Sequence, residues 1–110
     1  MMRDDTVYIA HILDALRQIV EYSNGLDYET FRTTRMVHDA VIRQFEIIGE
    51  ATKNLSEDFR ALNPAIPWKD LAGFRDKLIH QYFGVDLSLV WRSVVVDVPV
   101  LCEELERIKV

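Results

Sequence analysis

One cysteine, three prolines and four glycines are all that this 110-residue chain holds of the residues that staple, stiffen or loosen a backbone. The lone Cys102 lies in an apolar helical pattern, closes no disulfide within the chain and has no CxxC partner for zinc. His11, His38 and His80 are scattered, with no pair four residues apart as a helical metal clasp requires. The glycines build no phosphate-binding loop and the acidic residues lack EF-hand spacing, so no metal and no cofactor is expected. The composition is not that of a membrane-spanning chain, and the N-terminal MMRDDTVYIA lacks the apolar centre of a signal peptide, which makes the cytoplasm the expected compartment. Positive charge is short too. Thirteen Lys and Arg against eighteen Asp and Glu leave a net charge of -5, which argues against coating nucleic acid through the overall field and leaves room only for a focal basic site.

What is present is apolar periodicity. With 49% hydrophobic and 28% charged residues, the chain is long enough for one domain, residues 1–110, with a real core. Strand-like alternation is missing except for Val94, Val95 and Val96, which sit inside a helical pattern, so the fold class is all-α. A first helix over residues 4–23 places Ile9, Ile12, Leu13, Leu16, Ile19 and Val20 on one face and stops at Ser23, Asn24 and Gly25. A second runs from about Tyr28 to Leu55 and buries Met36, Val37, Ala40, Val41, Ile47, Ile48 and Ala51, with Gly49 letting a neighbouring backbone come close. Pro64 and Pro67 mark a loop, and a third major helix runs from about Trp68 until Gly84. The last begins near Asp86, where Leu87, Trp91, Val94, Val98, Leu101, Leu105 and Ile108 form a seam that Pro99 interrupts with an expected kink.

Two charged groupings carry both an ordinary and a chemical reading. Glu46 and Glu50, one turn apart, are either a carboxylate pair or a partly solvated helix face. Arg35, Asp39 and Arg43 form an i, i+4 ladder, which means surface ion pairing or a phosphate-facing patch. The stretch LAGFRDKLIHQYFG, residues 71–84, is harder to explain by stability. Leu71, Arg75, Leu78 and Tyr82 follow one another at intervals of four, three and four, so a guanidinium stands within an apolar stripe.

Arg75, His80 and Tyr82 spell R-x4-H-x-Y, and they sit among AHILDALRQIVEY, AVIRQFEIIGEATKNLS, PAIPWKDLAGFRDKLIHQYFGVD and LVWRSVVVDVPVL. In these segments and their order the chain resembles the HepT-like toxins of the HEPN superfamily over nearly its whole length. The resemblance implies an up-and-down, four-helix-type HEPN bundle and a homodimer. It implies a metal-independent endoribonuclease, acting on an RNA such as tRNA or mRNA, with Arg75 and His80 as the catalytic pair of a composite site. It further implies a minimal nucleotidyltransferase antitoxin that attaches AMP to Tyr82. Asp76 stands where such proteins commonly carry Asn, and it either orients Arg75 or solvates the helix. Arg32 and His38 offer a rival pair but lack the following Tyr and the helix-end setting. The alternative is a non-catalytic HEPN binding module that partners, or is modified by, a nucleotidyltransferase.

The chemistry is consistent with the pattern. Metal-free RNA cleavage by the 2′-hydroxyl needs a base, an acid and a cation for the developing charge. Imidazole, with an ordinary pKa of about 6.5, moves protons near neutrality, and the guanidinium fork matches phosphate oxygens. One His80 does not serve as base and acid at once, so a twofold dimer that brings two copies across one groove is expected, with the final helix or the third helix as interface. Positions five apart differ by about 140° on an ideal helix, so Arg75 and His80 diverge unless the helix loosens. Their structural readings are a helix-terminal His and an Arg paired with Glu46 or Glu50; that of Tyr82 is an amphipathic ring at the core edge.

Overall fold

In α1, Arg3–Ser23, the residues Ile9, Ile12, Leu16 and Ile19 are all but sealed from solvent, as their spacing demands. The helix ends where the Ser23 hydroxyl donates back to the Ile19 carbonyl at 2.7 Å and Gly25 takes φ +77°, a left-handed turn that favours glycine. The structure is a computed structural model that describes residues 3–81 and 84–108, and it is helical throughout its regular elements. Six further helices follow: α2 Tyr28–Thr33, α3 Arg35–Lys53, α4 Glu57–Leu62, α5 Trp68–His80, α6 Leu87–Arg92 and α7 Val98–Glu106, with a π-helical run Ser93–Asp97 joining the last two. Among the described residues no helix is long and apolar enough to cross a membrane.

The expected single helix over Tyr28–Leu55 is broken at Thr34. Thr33 and Thr34 turn their hydroxyls back onto the carbonyls of Glu29 and Thr30, at 2.8 and 2.6 Å, and Thr34 leaves helical geometry with φ -106° and ψ 87°. Threonine hydroxyls that bond back in this way slightly destabilise and bend a helix, and here two stand in succession at the break. The break resets the phase of the helix that follows. Met36, expected in the core, is 83% exposed in the first turn of α3, while Val41, Ile48 and Ala51 are buried as expected. Val20, also expected inside, lies half exposed at the edge of the α1 stripe. Phe31 on α2 is fully buried against Trp91, ring centroids 4.9 Å apart.

The expected loop before Pro64 contains α4, capped by Ser56, whose hydroxyl accepts from the Phe59 amide at 3.1 Å. The buried Asp5 carboxylate in turn accepts from the Ser56 amide and hydroxyl, both at 2.8 Å. This joins the start of α1 to the end of α3, so the two helices run antiparallel. Ser56→Ala removes the cap and one partner of a buried carboxylate, and should cost about 1–2 kcal/mol by thermal melting. A melt unchanged from wild type would show that the Asp5–Ser56 link adds nothing.

The third major helix stops at His80, with the Gln81 amide donating to Lys77, rather than continuing to Gly84. At Pro99 the expected kink takes the form of the π-helical run directly before it. Proline has no amide to satisfy the carbonyl four residues back, and the ladder adjusts by a wider turn in which the Val98 amide donates to Ser93. Across that adjustment Val94, Val98, Leu101 and Leu105 remain buried, with Leu87, Trp91 and Ile108 packed against them. α3 is central: both α1 and α5 pack on it, while α7 and the π-helical run pack on α1.

Candidate functional site

α3 and α5 approach closely, and Gly49 makes this possible. A Cβ at position 49 would stand 2.0 Å from Arg75 Cβ, 2.8 Å from its Cγ and 3.0 Å from the Leu71 carbonyl oxygen. The expectation that Gly49 admits a neighbouring backbone therefore holds, and the neighbour it admits is Arg75 itself.

From this fixed stem the guanidinium reaches two carboxylates. One nitrogen lies 3.0 Å from Glu50 Oε1, and another donates to Asp76 Oδ1 at 3.1 Å. Lys53 pairs with the same Asp76 oxygen. Hydrogen bonding from Lys53, then from Arg75, holds the Asp76 carboxyl below the usual Asp value of 3.8. Any stability this lends is present above that value and lost as pH falls through the lowered one; the group is exposed, so the effect is small. Asp76 is thus in hydrogen-bonding contact with Arg75, as an orienting role would require. Of the two glutamates, Glu50 meets Arg75, whereas Glu46 pairs with Arg43 at 3.3 Å. The Arg35–Asp39–Arg43 ladder is divided accordingly: Arg35 approaches Asp39 at 3.5 Å and Arg43 turns to Glu46.

His80 is the last residue of α5 and is exposed. Helical spacing turns it about 140° from Arg75 but only about 40° from Asp76, so within one chain it does not face the groove that Arg75 lines. Tyr82 lies outside the described residues. The rival pair is separated by the Thr34 break: Arg32 is occupied by Glu29, and His38 packs near the Phe31 ring, centroids 6.1 Å apart. Among the described residues, no three His, Cys, Asp or Glu side chains gather in a metal-holding cluster.

Arg75 does line a groove of about 210 Å³ between α1, α3 and α5. Tyr8 and His11 come to it from α1, Glu50 and Asn54 from the end of α3 and its cap, and Ile79 from α5. Sequence reasoning dismissed His11 as isolated and passed over Tyr8 and Asn54. Residues 8, 11 and 75 share no spacing rule, since only the antiparallel packing of α1 on α3 brings them to one level.

Comparison with known proteins gives the family. A family model described as "Ribonuclease HepT-like" matches residues 12–108. The chain is 42% identical over 109 residues to "Probable ribonuclease HepT" of Thermococcus cleftensis, covering 99% of each chain. It is 47% identical over 108 residues to a protein of Methanocaldococcus jannaschii named "Gamma-glutamylcyclotransferase and putative RNase"; that match covers 98% of this chain and 49% of the relative, so the chain spans about half that protein's length. A third relative, a "Putative RNase" of Methanocaldococcus jannaschii, is 41% identical over 104 residues, 94% of this chain and 95% of that one. No solved structure matches. An all-α bundle that seats an arginine on a glycine one turn before a helix-terminal histidine, matched by a family model over residues 12–108, belongs to the HepT-like ribonuclease family.

Proposed function

We propose that this chain is the toxin of a toxin–antitoxin system, a metal-independent endoribonuclease whose Arg75 and His80 meet their copies in the groove of a homodimer. The 2′-oxygen of the substrate attacks the adjacent phosphorus as a base takes its proton. The P–O5′ bond breaks as an acid protonates the leaving oxygen, giving a 2′,3′-cyclic phosphate and a 5′-hydroxyl. His80 of each chain supplies one proton-transfer group, and Arg75 stabilises charge on the phosphoryl oxygens.

The observation that carries the reading is the anchoring of Arg75. A guanidinium whose stem is fixed against Gly49 and whose head is oriented by Asp76 is preorganised, which is what charge stabilisation in a transition state requires. His80 stands exposed at the helix end, where a twofold mate reaches it. The purified protein, incubated with RNA in chelator, should yield fragments ending in 2′,3′-cyclic phosphate. The carboxylates around Arg75 favour a second reading, a non-catalytic module that partners or is modified by a nucleotidyltransferase. RNA left intact by the unmodified dimer would decide for that module.

Control falls on Tyr82, two residues beyond His80. A cognate nucleotidyltransferase attaches AMP to its hydroxyl, which places bulk and negative charge beside the chemistry and competes for Arg75. Tyr82→Phe keeps the ring and loses the nucleophilic oxygen, so intact-mass measurement after co-expression should find adenylate on the wild type and none on the variant. The variant should escape the antitoxin. A modified Tyr82→Phe chain, or a neutralised wild type with Tyr82 bare, would move control to another place.

A further inference from the structure

The groove beside Arg75 has features that the proposed chemistry does not use. Its volume, about 210 Å³, is below the roughly 300–1,000 Å³ of sites for drug-sized ligands, so it takes a single ring system and not a folded strand. Tyr8 and His11 form an aromatic edge on one side, rings perpendicular with centroids 6.1 Å apart, and Ile47 and Ile79 supply apolar wall. Both cations at its rim already face carboxylates, Arg75 with Glu50 at 3.0 Å and Arg43 with Glu46 at 3.3 Å. Two arginines against two glutamates leave no net charge from these side chains, so charge alone does not select the groove's ligand.

The acceptors at the groove come from α3 and its cap. Glu46 and Glu50 are carboxylates, and Asn54, which donates one amino N–H to the Glu50 carbonyl at 2.9 Å, adds its carboxamide oxygen as an acceptor. A flat ring bearing N–H donors complements such walls. The geometry points to this groove as a subsite for one unstacked nucleobase that carries an exocyclic amino group, held against Tyr8 and His11 and hydrogen-bonded by Glu50 and Asn54, with its strand passing Arg75. This rests on the reading of the chain as an RNA-cleaving enzyme, and it adds a preference at one position of the strand.

The test uses strands that cannot react. The full chain is titrated with 2′-O-methyl RNA trinucleotides that differ only in the central base, which lack the attacking hydroxyl. Affinity is read by fluorescence anisotropy, and the imidazole signal of His11, assigned through His11→Ala, is followed by NMR. Strands centred on guanine, adenine or cytosine should bind about tenfold more tightly than the uracil strand. The His11 signal should move on binding, and His11→Ala should weaken binding about tenfold. Equal affinity for all four strands, a His11 signal that stays in place, or unchanged binding by His11→Ala overturns the subsite. Cleavage separates the two proposals. An enzyme that cuts RNA in a His80-dependent way without these effects keeps its activity and loses the subsite, whereas a protein that shows them without cutting RNA has the subsite and not the activity.

Discussion

His80→Ala should lower RNA cleavage by about 10²–10⁴-fold, the usual range for a lost proton-transfer group, and leave a folded helical dimer. The side chain is exposed at the end of α5, so its removal opens no cavity in the core. Arg75→Ala should reduce the rate by about 10²–10³-fold, as expected for a lost charge-stabilising donor. It should also melt somewhat lower, because the Arg75 stem packs on Gly49 and its head ties Glu50 to Asp76. Single-turnover cleavage and circular dichroism on the same preparations separate chemistry from folding. Both variants should lose cellular toxicity at equal expression. If either remains fully toxic, its residue is not part of the chemistry, and if toxicity disappears together with the helical signal, the residue is structural.

Gly49→Ala should affect stability and activity together. The added carbon would meet Arg75 Cβ at 2.0 Å and the Leu71 carbonyl at 3.0 Å, atoms tied to the α5 backbone, so no rotamer change relieves the clash and α5 must shift against α3. Overpacking of this kind costs about 1–3 kcal/mol, and a domain of this size loses about 4–8 °C per kcal/mol, so a melting temperature lower by about 5–20 °C is expected. The shift carries Arg75 with it, and cleavage should fall even at temperatures where the variant is fully folded. Gly73→Ala is the matched control on α5: nothing lies within 4 Å of its added carbon, and replacing a glycine inside a helix should stabilise by about 0.5–1 kcal/mol. If the two variants melt alike, the close approach at Gly49 is not as tight as drawn.

The helical class and most of the core were legible in the sequence because apolar spacing is a direct record of which helix face is dry. Ile9, Ile12, Leu16 and Ile19 are buried as read, as are Val94, Val98, Leu101 and Leu105 across the Pro99 adjustment. What failed was local. Thr33 and Thr34 are tolerated in many helices, so the residues alone did not mark the break at Thr34 that turns Met36 outward. The α4 helix was missed although Ser56 followed by Glu57 and Asp58 is an N-terminal signal, because the prolines after it drew the whole stretch into a loop. At the site, Gly49 and Arg75 were each marked by sequence, but their contact was not. The pairing of Arg75 with Glu50 and Glu46 with Arg43 depends on which side of α3 each glutamate faces once α5 is docked. The divergence of Arg75 and His80 followed from helix geometry alone, and the structure adds that Arg75 lines a groove with Tyr8 and His11 while His80 stands outside it.

In the proposed site, that divergence is met by a second chain, which brings its His80 to the Arg75 groove. Mixed dimers with one wild-type chain and one His80→Ala chain, isolated through different affinity tags, put this to the most direct test. If base and acid come from the two copies of His80, as proposed, the mixed dimer should cleave RNA at about 1% of the wild-type rate or less, even though one intact His80 remains. A mixed dimer that retains half the wild-type rate would mean two independent sites, each complete within its own chain, and would contradict the composite groove.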